Sequence, residues 1–248
     1  MILLLDVGNT LVKWRLQDAG RIPGQGARPR GEVPGLLEDI AKDFAAVQVW
    51  ISSVANSEYE SSLGEQVCRL WRREPWFART EALSMGLRNS YRQPAQLGVD
   101  RWLAMLAAWK QARSSVCVVD SGSALTIDFV SPGGEHRGGY ILPGLDSMQQ
   151  ALLSNTDRVL CDAATPDQLK PGNSTEEAVD NGLLLAQAGA VALALQRLGG
   201  NFSLIFTGGN GAVLQRCLQL GGVYSEHLVL DGLYLLGQSG TRSGVDPA

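Results

Sequence analysis

A chain of 248 residues with 45% hydrophobic and 19% charged residues can build a packed core, as one large domain or as two halves of about 120 residues each, and it is not disordered. Its formal net charge of -4 excludes the broad Lys/Arg surface that a nucleic-acid partner requires. The four cysteines, Cys68, Cys117, Cys161 and Cys217, form no CxxC pair, and only His136 and His227 could add imidazole, so a zinc site is excluded in favour of buried free thiols in a reducing, cytoplasmic setting.

Residues 1–6, MILLLD, lack a basic segment and reach an acid at once, which predicts a strand rather than a signal peptide. This strand opens the segment ILLLDVGNTLVKWRL (residues 2–16), which is echoed at 116–130 by VCVVDSGSALTIDFV. Each copy is four apolar residues, Asp-x-Gly, two small residues and a second strand-like run, the pattern of a buried strand turning into a hairpin. The repeat predicts two similar α/β domains, 1–112 and 113–248. Residues 20–35, rich in Gly, Pro and Arg, read as a loop. A helix over 35–44, a strand over 46–54, a helix over 57–73, a short strand over 76–79 and a helix over 99–112 follow. In the second half we expect a strand over 139–142 and helices over 145–154 and 175–198. A strand over 203–207, a helix over 211–220 and a last helix over 228–236 complete the chain. The longest apolar stretch, 182–195, is broken by Gln187 and two glycines and is followed by Gln196 and Arg197, so it predicts a buried helix and no membrane span.

Five motifs carry chemistry. In Asp6-Val7-Gly8-Asn9-Thr10, Gly8 permits a tight turn and close backbone approach, successive amides can cradle phosphate oxygens, and Asp6 can hold Mg²⁺ directly or through water. Thr10 adds a hydroxyl and Lys13 a charge. An ordinary hairpin turn would look the same. Asp120-Ser121-Gly122-Ser123-Ala124-Leu125-Thr126 repeats the carboxylate, glycine and hydroxyls. No GxxxxGK[ST] is present, so the phosphate site is not a P-loop. Gly98-Val99-Asp100-Arg101 opens a predicted helix. Asp100 either caps that helix, with Arg101 facing solvent, or serves as base to a substrate hydroxyl. A free carboxyl titrates near ~4, low for an alcohol, but in a loose phosphoryl-transfer state the proton moves late and an aligned carboxylate suffices. Arg101 can fork onto a substrate carboxylate. The Gly138 to Gly144 run (GGYILPG) and Thr207-Gly208-Gly209-Asn210-Gly211 supply glycine backbone for close approach, or flexible strand ends.

Together these motifs resemble the type III pantothenate kinases, the family that includes the Bvg accessory factor proteins. The family's D-x-G-N-T stands at Asp6 to Thr10, its G-x-D-R at Gly98 to Arg101 and its D-x-G-T-A-x-T at Asp120 to Thr126, with Ser123 for threonine. Its G-G-x-I-x-P-G is matched throughout at Gly138 to Gly144. Tyr91 fits the tyrosine before G-x-D-R, and Thr175 fits the threonine that opens the long helix. The resemblance implies two RNase H-like domains of the actin/sugar-kinase superfamily, with the active site in the cleft between them. It implies transfer of the ATP γ-phosphate to pantothenate, giving 4′-phosphopantothenate in the first step of coenzyme A synthesis. ATP contacts then map to Asp6, Val7, Gly8, Asn9, Thr10, Leu11, Val12, Lys13 and Ser123. Substrate contacts map to Tyr91, Gly98, Val99, Asp100, Arg101 and Thr175, with Asp100 the catalytic base. Mg²⁺ maps to Asp6, and a monovalent cation, potassium or ammonium, to Asp120. Family members are cytoplasmic homodimers, with no nucleic-acid or membrane partner implied. A nucleotide-binding regulatory relative without turnover is the competing reading.

Overall fold

In the computed structural model the described residues are 1–45, 47–154 and 168–240. By internal contacts they fall into two units: Met1–Lys110 together with the C-terminal segment from His227, and Gln111–Glu226.

The first unit begins with β1 (Ile2–Val7), β2 (Leu11–Asp18) and β3 (Arg21–Pro29), followed by α1 (Val33–Asp43) and β4 (Gln48–Ser53). Next come α2 (Ser57–Trp71), β5 (Trp76–Phe77), the small hairpin β6 (Leu83–Ser84) and β7 (Leu87–Arg88), and α3 (Val99–Ala112). Its main sheet has the order β3-β2-β1-β4-β5. β1 pairs antiparallel with β2 and parallel with β4, so the apolar strand lies at the centre. Leu3, Leu4 and Leu5 are wholly buried because both faces of a central strand are covered. Leu3, Leu5 and Val7 face a core shared with Leu37 and Ile40 of α1 and Leu63 and Val67 of α2.

The second unit contains β8 (Val116–Ser121), β9 (Ala124–Val130), β10 (His136–Pro143), α4 (Leu145–Ser154) and α5 (Thr175–Leu198). β11 (Ser203–Thr207), α6 (Gly211–Leu218) and β12 (Val223–Tyr224) follow. Its sheet order, β10-β9-β8-β11-β12, repeats that of the first unit strand for strand. The hairpin-parallel pattern also repeats: β8 is antiparallel to β9 and parallel to β11. The sequence repeat is therefore a repeat of topology. One face of this sheet packs Cys117, Val119 and Ile127 against Leu184, Ala188 and Val191 of α5 and Leu214 of α6. Asp128 and His136, both buried, pair at 3.2 Å.

Four expectations change. Residues 21–29 form an edge strand antiparallel to β2 rather than a loop. The glycines misled: a Cβ on Gly24 or Gly26 would come within 3.1 or 3.2 Å of the Trp14 ring, so glycine lets the tryptophan lie over the strand. Pro23 falls beside a register irregularity and Pro29 at the strand end, where a missing N–H is tolerated. The helix over 175–198 has only one face buried. Among the described residues it is the one helix long and apolar enough to cross a membrane, yet Leu185 and Leu193 are 54% and 53% exposed while Leu184, Ala188 and Val191 sit in the core. Of the thiols, Cys117 is buried and Cys68 and Cys217 are half-buried; Cys161 lies outside the described residues.

The last helix, α7 (Leu228–Gln238), packs on the first unit, whereas a division at 112/113 assigns it to the second. Its Leu228, Leu230, Leu233 and Leu236 are buried. Tyr234 lies 6.2 Å from the Trp50 ring of β4, and Asp231 accepts from buried Arg15 of β2 at 2.6 Å. At Gly232 the helix comes so close to α3 that a Cβ would overlap the Leu103 carbonyl. Gly232→Ala should therefore destabilise the protein by about 1–3 kcal/mol in urea unfolding, although alanine is the better helix former by about 1 kcal/mol. A neutral or stabilising result would mean that α7 does not press on α3.

Candidate active site

In the first unit, Asp6 ends the buried run of β1 and lies directly across the ladder from Lys13. Ser52 of β4, itself fully buried, donates to Asp6 Oδ1 at 3.1 Å. Gly8 N–H donates to the Leu11 carbonyl at 3.1 Å and closes the turn, and a Cβ on Gly8 would lie only 3.0 Å from that oxygen. The Gly8 amide is thus spent within the turn. Asn9, Thr10 and Leu11 are exposed, while Val7 and Val12 are buried core side chains. Any ligand contact by those two valines must come from their backbone.

Asp100 is the second residue of α3 and half-buried. Its Oδ1 accepts from the N–H of the next residue, Arg101, at 2.8 Å. A Cβ on Gly98 would lie 2.5 Å from that oxygen, which explains the glycine two residues earlier. Arg101 does not face solvent: it is only 7% exposed, and its Nη1 donates to the Tyr91 hydroxyl at 3.0 Å. Tyr91 is fixed in turn, its N–H donating to Asn89 Oδ1 at 2.9 Å and Asn89 Nδ2 to the Pro94 carbonyl at 3.2 Å. Tyr91, Gly98, Val99, Asp100 and Arg101 therefore form one braced group built on the start of a buried helix.

In the second unit Asp120 stands one residue before the end of β8, opposite Thr126 of β9 and beside Thr207 of β11. Gly122 N–H closes the turn on the Ala124 carbonyl at 2.9 Å. Two glycines from distant motifs are packed around this loop. A Cβ on Gly144 would sit 2.6 Å from the Ser123 carbonyl, and one on Gly208 would sit 2.5 Å from the Ser121 carbonyl and collide with Asp120 Oδ1. The Gly144 N–H donates to the Ser123 carbonyl at 3.2 Å, and the Asn210 N–H to the Ser121 carbonyl at 2.9 Å. The GGYILPG and TGGNG motifs thus meet at the Asp120 loop. Ser123 is exposed at its tip. Tyr224 of β12 donates to the Gly208 carbonyl at 3.2 Å; burial, then Glu226 and Asp120, push its phenol above the ordinary value. Thr175 is the exposed first residue of α5, after the N-cap Ser174, which accepts from the Glu177 N–H at 3.1 Å.

The sequence reading did not single out Ser52, although a polar pair ending an apolar strand, VWISS, was the available signal. Tyr224 carried no such signal, because its place depends on the parallel pairing of β12 with β11. An open groove of about 620 Å³ in the first unit, lined by Glu60, Cys68, Glu74, Phe77 and Arg79 among others, contains none of the motif residues.

Comparison with known proteins fits this arrangement. Similar folds occur in a Baf family putative transcriptional activator from Campylobacter jejuni (TM-score 0.63, 23% identity, 96% of this chain and 98% of that one) and a putative 2-dehydro-3-deoxygalactonokinase from Sinorhizobium meliloti (TM-score 0.64, 13% identity, 96% and 99%). The chain shares the α/β fold of these two proteins, with two five-stranded sheets of one connectivity. A type III pantothenate kinase family model matches residues 2–197. The type III pantothenate kinase of Chromohalobacter salexigens is 38% identical over 94% of this chain and 86% of its own length, and that of Marinobacter nauticus 35% identical over 97% and 99%. The chain belongs to the type III pantothenate kinase family.

The packing around Asp120 separates two adjacent glycines. Gly208 has φ +83° and no room, whereas Gly209 has nothing within 4 Å of a Cβ. Gly208→Ala should cost about 1–3 kcal/mol of stability and Gly209→Ala less than about 0.5 kcal/mol, measured by thermal unfolding. Equal effects would contradict the close approach of the TGGNG turn to the Asp120 loop.

Proposed function

We propose that the chain transfers the γ-phosphate of ATP to pantothenate with Asp100 as the catalytic base, the first step of coenzyme A synthesis. The observation that carries this reading is the braced Tyr91–Arg101 group at the start of α3, set within a chain of this kinase family. Arg101, buried and held by Tyr91, offers a fork for the pantothenate carboxylate, and Gly98, Val99 and Thr175 complete the substrate contacts. Asp100 aligns the substrate hydroxyl and takes its proton as the phosphoryl group arrives. The regulatory reading without turnover is not favoured, because the relatives are kinases by name and both Asp-x-Gly loops and Asp100-Arg101 are retained.

ATP in this reading contacts Asp6, Val7, Gly8, Asn9, Thr10, Leu11, Val12, Lys13 and Ser123, the turn amides after Gly8 meeting phosphate oxygens and Lys13 adding charge. The donors fit the ions. Among the described residues no three His, Cys, Asp or Glu side chains cluster, and Mg²⁺ carried by a nucleotide needs only one or two carboxylates, which Asp6 can supply directly or through water. Bound there, Mg²⁺ neutralises charge on the phosphates. Asp120, a carboxylate just before the end of β8, is the group we assign to potassium or ammonium, whose charge it would balance. We assign the chain to the cytoplasm as a homodimer. The exposed apolar face of α5, with Leu185 and Leu193 beside Gly182 and Gly189, suits a second copy.

Three experiments address these assignments. Asp100→Asn should fold and bind both substrates yet lose turnover by about a hundredfold or more in a coupled ADP assay; near-normal turnover would reduce Asp100 to a helix-start contact. Asp120→Asn should abolish or weaken potassium activation, and Asp6→Asn should damage Mg²⁺-ATP use while leaving the potassium response of the residual activity intact. Equal rates of the unmodified protein in potassium and in a bulky organic cation would return Asp120 to loop structure. Leu185→Arg should shift the protein from dimer to monomer in light scattering; an unchanged mass would remove α5 from the interface.

A further inference from the structure

Gln187 interrupts the most apolar stretch of the sequence, and the proposed reaction does not use it. It is 1% exposed in α5, between the core residues Leu184, Ala188 and Val191. A carboxamide in that position is tolerated only if both ends are hydrogen-bonded. Both are. Its Oε1 accepts from Ser121 Oγ at 2.9 Å, and its Nε2 donates to the Pro143 carbonyl at 3.2 Å. A carbonyl can only accept, which assigns the two ends of the amide without ambiguity.

The two partners are not neighbours in the sheet. Ser121 ends β8 and Pro143 ends β10, with β9 between them. The ladder sets each strand against β9, but the spacing of β8 from β10 at this end depends on what crosses over β9. Gln187 crosses it. Ser121 is fully buried and follows Asp120; Pro143 precedes Gly144, whose N–H donates to the Ser123 carbonyl and whose Cα has no room for a side chain. One side chain from α5 therefore grips both sides of the Asp120 loop. A leucine or methionine would fill the same space in an apolar helix, so the carboxamide is present for these two bonds.

We propose that Gln187 is a positioning residue that fixes the Asp120 loop against the end of β10, and thereby sets the affinity of that loop for the monovalent cation and for the phosphates of ATP. The proposal rests on the reading of the Asp120 loop given above. It differs from a packing role in what it predicts. Packing would affect stability alone, whereas positioning affects the ions and phosphates the loop meets.

The test uses the full-length protein with Gln187→Met, which keeps length and removes both hydrogen bonds, and separately Ser121→Ala, which removes one. The potassium concentration for half-maximal activation and the KM for ATP should each rise by about fivefold or more in both variants, while the KM for pantothenate changes by less than about twofold. A lower thermal midpoint with unchanged potassium and ATP dependence would overturn the proposal and leave Gln187 as packing. If Gln187→Met fails to fold, Ser121→Ala decides alone. If the unmodified protein ignores potassium, the cation reading of Asp120 has failed by itself. The KM for ATP then judges Gln187, and an unchanged value overturns its role.

Discussion

A charge can end a buried strand only where the chain gives it partners, and both halves of this protein are organised around that constraint. β1 and β8 are central strands, bonded on both sides and covered on both faces, so their positions leave little freedom. Each carries an aspartate one residue before its end. Ser52 from the parallel neighbour holds Asp6, while glycine backbone crowds around Asp120. The rigidity of the sheet is thereby passed to two carboxylates, and the turns that follow them are closed by their own glycine amides. Preorganisation of this kind is what phosphoryl transfer needs, since the protein's contribution is mainly position and charge.

The same logic governs the start of α3. Nine of its fourteen residues are buried, so the helix cannot shift to suit a ligand. Asp100 and Arg101 inherit that fixed position, and Tyr91, held through Asn89, adds a partner for the guanidinium. Arg101 is buried with its Nη1 on the Tyr91 hydroxyl, and its planar guanidinium has the shape that matches a carboxylate, which is the physical basis of the proposed carboxylate site.

Much of this was legible in the sequence, because its strongest signals are the ones topology must obey. The pair of segments at 2–16 and 116–130 predicted two hairpins, and they are equivalent strands of two sheets with one connectivity. What was not legible depended on contacts distant in the chain. Gly24 and Gly26 read as loop because the ring that requires them, Trp14, is only visible once β3 is laid beside β2. The last helix read as part of the second half because sequence order is the default. It joins the first unit because Trp50 and Arg15 provide the partners. Gln187 was visible as a flaw in an apolar helix, but its two partners lie 66 and 44 residues away. Around the motif residues the supports were not readable: Ser52, Tyr224 and Gln187 are held by pairings that no local pattern encodes.

The most direct test of the central claim is a substrate panel under one set of conditions. ADP release would be followed with Mg²⁺-ATP and pantothenate, pantetheine or a series of sugars as acceptor. The account predicts turnover with pantothenate, weaker turnover with pantetheine, which lacks the carboxylate that Arg101 would bind, and none with sugars. Turnover with a sugar in preference to pantothenate, or equal turnover with pantothenate and pantetheine, would contradict it.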